Sequence, residues 1–425
     1  MLLSDDQGGA QRLPFVHHRV AFGWNFRFHS KERQKNAMKI TKVEVIPISN
    51  PMKHPMRMGG SVITHIHSIL LKLTTDEGLV GFSDSGDTST WYRGETQDSM
   101  MALILDYFAP KILLGEDPIK IEKIVGRMDV LARDNNQAKA TVDFALHDLV
   151  GKIFNQPVYN LLGGRTVDKV AIGYVLGAGN PDEVAQQAVD TVRKGFGFVK
   201  VKTSAGEALK NDIAVIAAVR EAVGYDVRLF IDPNGFWNYE QALHTMRALD
   251  KYNLACVEQP LAAWDIAGMA RLRGQIGTPV YADESAQELH QLAEIIRIGA
   301  ADGFMIKTQK AGGLLKSQRW LTMARLANMS VTCGCMVGSG LEASPAAHLL
   351  VSDHWASQFV HENAGPLHIH GVSNSDEIEE DVSLHGPLFK DGFHAPNDGP
   401  GLGIELNEPF IKRILTPGKP AHSVS

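Results

Sequence analysis

Gly197-Phe198-Val199-Lys200-Val201-Lys202-Thr203 decides how this chain is read. Its apolar residues predict a β-strand, and on a strand residues two apart face the same side. The stretch therefore aims two cations into one interior. A like-charged neighbour and poor hydration both oppose the ammonium form there, which predicts lysine pKa values lowered toward the range of a base working near neutral pH. Alone, the pattern more often marks an edge strand with two solvated lysines. The residues downstream of Thr203 argue against that.

Four apolar runs downstream each end on a charged residue. Arg228 to Asp232 leads into Pro233-Asn234-Gly235, Ala255 to Glu258 into Gln259-Pro260, Val280 to Asp283 into Glu284-Ser285, and Phe304 to Lys307 into a loop ending Gly312-Gly313. The intervals are 258 − 232 = 26, 283 − 258 = 25 and 307 − 283 = 24. Each is about one strand, loop and helix, the repeat of a (β/α)₈ barrel, in which polar residues at C-terminal strand ends are catalytic. One acid after a strand is commonly a cap or turn former. Three in phase, between strands that carry lysines, are not explained by capping. Three carboxylates converging on one point need a cation to stay ionised, and an oxygen-only set indicates a hard ion, Mg²⁺ or alternatively Mn²⁺. Such a site suits proton removal next to a carboxylate, where the dianion that forms must be neutralised.

In this order, Lys200/Lys202, Asp232-Pro-Asn, Glu258-Gln-Pro, Asp283-Glu-Ser and Lys307 resemble the muconate lactonizing subgroup of the enolase superfamily, within the mandelate racemase/muconate lactonizing enzyme family. The resemblance runs from about residue 38 to 410 and includes Ala138-Lys139-Ala140, the stretch Asp143 to Lys152, and Pro157 to Gly164. It implies an α/β fold: a modified TIM barrel, (β/α)7β, with an α+β capping domain formed from the N-terminal segment and the C-terminal tail. It also implies that Asp232, Glu258 and Asp283 hold the metal, that Lys202 and Lys307 are the acid/base pair, and that Lys200 tunes Lys202 and contacts the substrate carboxylate. The mandelate racemase pattern fits less well, because it calls for a histidine base where this chain has Lys307. Two lysines on opposite faces of one carbon suit a 1,1-proton transfer, hence a racemase or epimerase of an amino-acid or proline-type carboxylate. Dehydration by β-elimination and muconate-type cycloisomerisation are the alternatives, and a metal-binding barrel without catalysis is the non-enzyme reading.

The whole chain narrows the setting. Its 425 residues are 44% hydrophobic, with net charge −6 and both signs interspersed, which offers no electrostatic case for nucleic acid or an anionic membrane. A small-molecule carboxylate is the expected partner, and the family implies a homo-oligomer. No apolar run is long enough to cross a bilayer. Three cysteines, Cys256, Cys333 and Cys335, suit a reducing cytoplasm better than a disulfide framework.

Residues 1–37 read as a basic extension, disordered or a mis-assigned start ahead of Met38, with a transit peptide as the alternative; residues 38–165 read as the cap, 166–365 as the barrel, and 366–425 as a segment packing back on the cap. In the cap, Ile40 to Ile48, Ile66 to Thr75 and Leu79 to Phe82 predict strands about an Asp76-Glu77-Gly78 turn. Two loops, Pro51 to His65 and Gly86 to Glu95, are expected to close over the mouth, with His54, Arg57, Trp91, Tyr92 and Arg93 as specificity candidates. Asn234 joins them as a substrate-binding candidate. An eighth strand over Phe359 to Asn363 would turn either His361 or Glu362 inward, and Glu362 is the substrate-binding candidate. Glycines at 338 and 340 could offer backbone N–H groups to a substrate anion. Nothing in the sequence ties the tail beyond Gly365 to the mouth, so no catalysis is assigned there, and Lys419 to Ser425 are expected to fray.

Overall fold

In a computed structural model the described residues are 38–58, 61–88, 90–204, 206 and 208–425, without the side chains of 57, 58 and 61. The extension 1–37 and the Arg57 side chain lie outside them. Residues Met38–Ser425 form one compact unit.

β1 (Ile40–Met58), β2 (Ser61–Thr75) and β3 (Val80–Asp84) form an antiparallel sheet. Alternation in β1 and β2 puts Val43, Val45, Ile69, Leu71 and Leu73 on one fully buried face. That face packs on α2 (Gln97–Ala102), a wide helical segment over Leu103–Leu113, α3 (Ile121–Leu131) and α4 (Asn136–Phe154). Two expectations change here. Pro51 to His65 is no loop: β1 and β2 continue through it to the pair Met58↔Ser61, with a register shift between Pro51 and Met56. Proline, methionine and histidine hid this arm, while Ile63 and Ile66 pack it beside Ile369. The loop Gly86 to Glu95 contains the short helix α1 (Thr90–Arg93). The C-terminus does not fray either, since His422–Val424 pairs antiparallel with Val43–Val45 of β1.

After α5 (Val158–Leu161), the chain enters the barrel. The strand expected from Val170 to Val175 is split. β4 (Val170–Ala171) joins a small sheet with Phe393–Ala395, and β5 (Tyr174–Leu176) starts the parallel sheet. Gly173 sits at the break, where an added Cβ would fall 1.5 Å from Phe198 Cδ1. The parallel sheet runs in sequence order through β6 (Phe198–Lys202), β7 (Arg228–Asp232), β8 (Cys256–Glu258), β9 (Val280–Ala282), β10 (Gly303–Ile306) and β11 (Ser330–Cys333). Helices α6 (Pro181–Arg193), α7 (Leu209–Val223), α8 (Tyr239–Leu249), α9 (Ile266–Arg273), α10 (Leu289–Ile298), α11 (Thr308–Ala311) with α12 (Leu314–Leu326), and α13 (Gly340–Ser352) follow successive strands. Asn180 caps α6 through Asp182 N at 3.0 Å, with Pro181 in its first turn.

The expected eighth strand is reduced to a bridge. His361 N donates to Ala171 O (3.0 Å), Gly173 N to His361 O (2.8 Å), and Glu362 N to Cys333 O (2.6 Å), so 361–362 link β11 back to the start of the barrel. The chain then forms α14 (Gly365–His370). Among the described residues no helix is long and apolar enough to cross a membrane.

Candidate active site

Alternation along the barrel strands builds the site in layers. Val199, Val201, Leu229, Ile231 and Val257 point outward into the main core against the helices. Phe198, Phe230, Cys256 and Tyr281 point inward and close the floor, with Phe198 and Phe230 edge to face at 4.2 Å. Two residues further along the same strands, the inward positions are Lys200, Asp232, Glu258 and Asp283, each at most 3% exposed. Charged groups thus stand on an aromatic floor, where water can reach them only from the mouth.

The lysines and acids meet. Lys200 Nζ lies 3.1 and 3.0 Å from the two Glu258 oxygens and 3.4 Å from Asp232 Oδ2, and also pairs with Glu362. Lys202, opposite Asp232 in the β6–β7 register, bonds to Asp232 Oδ2. Lys307 Nζ donates to Asp283 Oδ2 at 2.9 Å. Asn234 donates its backbone N–H to Asp232 Oδ1 (2.8 Å) and its amide to Glu284 Oε1 (3.0 Å).

Lys310, on α11, was not anticipated from the sequence. It is fully buried and reaches Asp283 Oδ1 at 2.6 Å and Met305 O at 2.6 Å. The available signal was its place three residues after Lys307, which on one helical turn shares that lysine's side. Tyr92 from the cap donates its hydroxyl to the same Asp283 Oδ1 at 2.7 Å, and Lys307 Nζ lies 3.9 Å from the centre of the Tyr92 ring.

The electrostatics depart from the expectation of depressed lysines. Burial pushes the Lys200 ammonium down, but Glu258, Glu362 and Asp232 more than offset it, and the pKa ends well above the ordinary value. Lys307 is raised in the same way, with Asp283 outweighing burial. Against burial, Lys202 and Lys200 hold Asp232 down to about 2, and Lys307 and Lys310 depress Asp283 further. Glu258 goes the other way: burial and the charge of Asp232 raise it well above the usual carboxylate range. Burial and Asp283 raise Glu284 to about 7, and burial raises Glu362.

As the side chains stand, no three histidine, cysteine or acidic groups among the described residues are gathered in a way that holds a metal ion; lysine nitrogens engage the acids instead. The donor chemistry nevertheless fits a hard divalent cation. Asp232, Glu258 and Asp283 offer only oxygen, and with Glu284 and Glu362 the acids outnumber Lys200, Lys202, Lys307 and Lys310. Three of the five are pushed toward the protonated form, as expected of a carboxylate set short of positive charge.

A small cavity of about 60 Å³ opens over this layer, lined by Lys200, Lys202, Lys307, Asn234, Glu362, Trp91 and Tyr92, with Met56, Asp87, Val175, the stretch 334–337 and His368. Of the remaining candidates, Arg93 faces away, donating to Gln287 Oε1 at 2.6 Å, and His54 packs near Gly371. His361 turns from the cavity, taking Cys333 N at 3.0 Å on Nδ1. The N–H groups beside the 338–340 glycines are not open to a substrate, because Ser339 N goes to Asp84 and Gly340 N to Asp381. His368 does tie the tail past Gly365 to the mouth: α14 swings back across β5, and His368 stacks on Tyr174 at 4.8 Å.

Known proteins share this architecture. Residues 183–410 match the family described as enolase C-terminal domain-like, and residues 40–163 match the mandelate racemase / muconate lactonizing enzyme N-terminal domain. A crystal structure of a mandelate racemase/muconate lactonizing family protein from Azoarcus sp. EbN1 is 66% identical, covers 91% of this chain and 100% of its own, and superposes with a TM-score of 0.87. The N-succinyl-L-Arg/Lys racemase of Bacillus cereus is 32% identical over 379 residues, 89% of this chain and 98% of that protein. A dipeptide epimerase from Enterococcus faecalis V583, complexed with Mg and the dipeptide L-Leu-L-Tyr, is 29% identical with a TM-score of 0.79, covering 86% of this chain and 99% of its own. The chain belongs to the mandelate racemase/muconate lactonizing enzyme family of the enolase superfamily.

Proposed function

We propose that this enzyme racemises or epimerises an amino-acid derivative by moving the proton on the carbon next to its carboxylate. One observation carries the reading: Lys202 at the end of β6 and Lys307 at the end of β10 line one cavity, each bonded to a different acid of the central layer. Lys202 Nζ takes the α-proton on one face and Lys307 Nζ delivers a proton on the other, or the reverse for the opposite antipode. Lys200, held between Glu258 and Glu362, keeps a positive charge beside the substrate carboxylate. The aromatic floor and the Tyr92 lid limit water around the carbon while it is deprotonated. Asp232, Glu258 and Asp283 would hold a divalent cation, whose charge offsets that developing on the carboxylate oxygens. Mg²⁺ is the ion of this reading, as in the Enterococcus faecalis relative, with Mn²⁺ as its substitute.

The racemase and epimerase relatives favour racemisation; β-elimination or cycloisomerisation would use one of Lys202 and Lys307 as base and the other as an electrostatic partner. The three cysteines are unpaired in the fold, which supports a cytoplasmic setting, and the family supports a homo-oligomer. Incubating N-acylated amino acids and dipeptides with enzyme and Mg²⁺ in D₂O tests the reading. Deuterium at the α-carbon with inversion is expected, while ring closure or loss of water would replace it with an alternative.

A further inference from the structure

The cavity over the lysines adjoins a groove with which it shares three lining residues. Met56, Val175 and His368 belong both to the cavity over the lysines and to a groove running outward between Leu176–Gly179 and α6, with Glu183 and Gln187 on its far side. Small residues at 177–179 keep this groove open next to β5.

His368 stands at the junction. It is 4% exposed, its ring is fixed by stacking on Tyr174, and its Nδ1 has no hydrogen-bond partner. Burial and the charges of Lys200 and Lys202 push the imidazole down to about 3, so it stays neutral. A buried neutral group lacking a partner carries a cost that an amide of the ligand can remove. Charge along the groove points the same way. Among the described residues lining it there is no lysine or arginine and His54 is the one basic side chain besides His368, while Glu183 and Asp190 are acidic, Asp190 with Arg193 at 3.5 Å. That lining opposes a tail ending in a carboxylate.

Resting on the proposed racemase reading, we infer that His368 and the Leu176–Gly179 groove form a tail subsite: His368 hydrogen-bonds the amide of an N-acylated amino acid, and the groove takes an uncharged acyl chain. The enzyme is thereby selective for N-acyl amino acids with an extended neutral tail over those with a short or an anionic one.

The test measures α-deuterium exchange in D₂O on N-acetyl, N-hexanoyl and N-succinyl forms of alanine, leucine and phenylalanine, with the Mg²⁺-loaded enzyme. On the amino acid turned over best, kcat/KM for the hexanoyl form is expected to exceed that of the acetyl and succinyl forms about 10-fold, mainly through KM. Ala178→Trp, which fills the groove, should bring the hexanoyl-to-acetyl ratio to about 1. His368→Leu should raise KM for every N-acyl form, with a thermal midpoint near that of the parent to show that the fold is kept. Exchange that ignores tail length, or a ratio unmoved by Ala178→Trp, overturns the subsite and leaves the racemase reading standing. No exchange on any of these forms also overturns the subsite, and no exchange on dipeptides as well sinks the racemase reading with it.

Discussion

The two flanks of the lysine–carboxylate layer differ in how their charge is balanced. On the Asp283 flank, one carboxylate receives Lys307, Lys310 and the Tyr92 hydroxyl, and is held strongly in its ionised form. On the Glu258 flank, Lys200 is divided among Glu258, Glu362 and Asp232, and Glu258 is driven toward its protonated form. A buried acid stays ionised only when each charge has a dedicated partner. The difference teaches where added positive charge has most to gain, which is at Glu258, and where the fold relies on the charges it already has, which is at Asp283.

Replacing either of the lysines proposed to move the proton breaks the comparison most severely. Lys202→Ala and Lys307→Ala should each lower the rate of racemisation by about 10² to 10⁴, the range for a positioned proton-transfer group, as followed by polarimetry. Next come the acids, read by thermal and denaturant unfolding without added metal. Asp283→Asn leaves Lys307 and Lys310 without their counter-ion and should cost about 3–5 kcal/mol. Glu258→Gln replaces a group already inclined to be neutral and should cost under about 1 kcal/mol, yet remove most of the Mg²⁺-induced rise in thermal midpoint. Equal destabilisation by the two would show that the flanks are alike.

Glu342 sharpens the comparison through pH. It is fully buried behind the Asp283 flank, accepts from Gln309 and Met336 N, and burial raises it from 4.5 to about 8. Between those values the folded chain holds a proton that the unfolded chain releases. The stability this contributes is complete below the lower value and is lost as pH rises through the upper one, at up to about 1.4 kcal/mol per pH unit. Denaturation curves across that window should show the decline, and Glu342→Gln should make it shallower by up to that amount, leaving the share of Glu284, Glu258 and Glu362. Deleting Lys419–Ser425 is expected to touch stability alone. Loss of the His422–Val424 pairing with β1 should cost about 1 kcal/mol and leave the relative exchange rates of the two antipodes unchanged.

Much of this site was legible because barrel strands repeat. The intervals from Asp232 to Lys307 placed four inward side chains at strand ends, and alternation turned Lys200 and Lys202 to one side, as their shared contact with Asp232 shows. Lys310 and His368 were not legible, since both lie on short helices after the strands, where the strand period no longer says which way a side chain points. The pKa of Lys200 was misjudged because the strand displays its lysine neighbour, whereas the acids that outweigh it come from other strands. The β1–β2 arm was missed because its residues resemble those of a loop, and its pairing partner is itself.

The most direct test tracks α-deuterium exchange from each antipode of one substrate separately, in the parent enzyme and in Lys202→Ala and Lys307→Ala. Two lysines facing opposite sides of the carbon predict that each variant loses exchange from one antipode and keeps it from the other, with the two variants complementary. Equal loss from both antipodes in both variants would contradict that division.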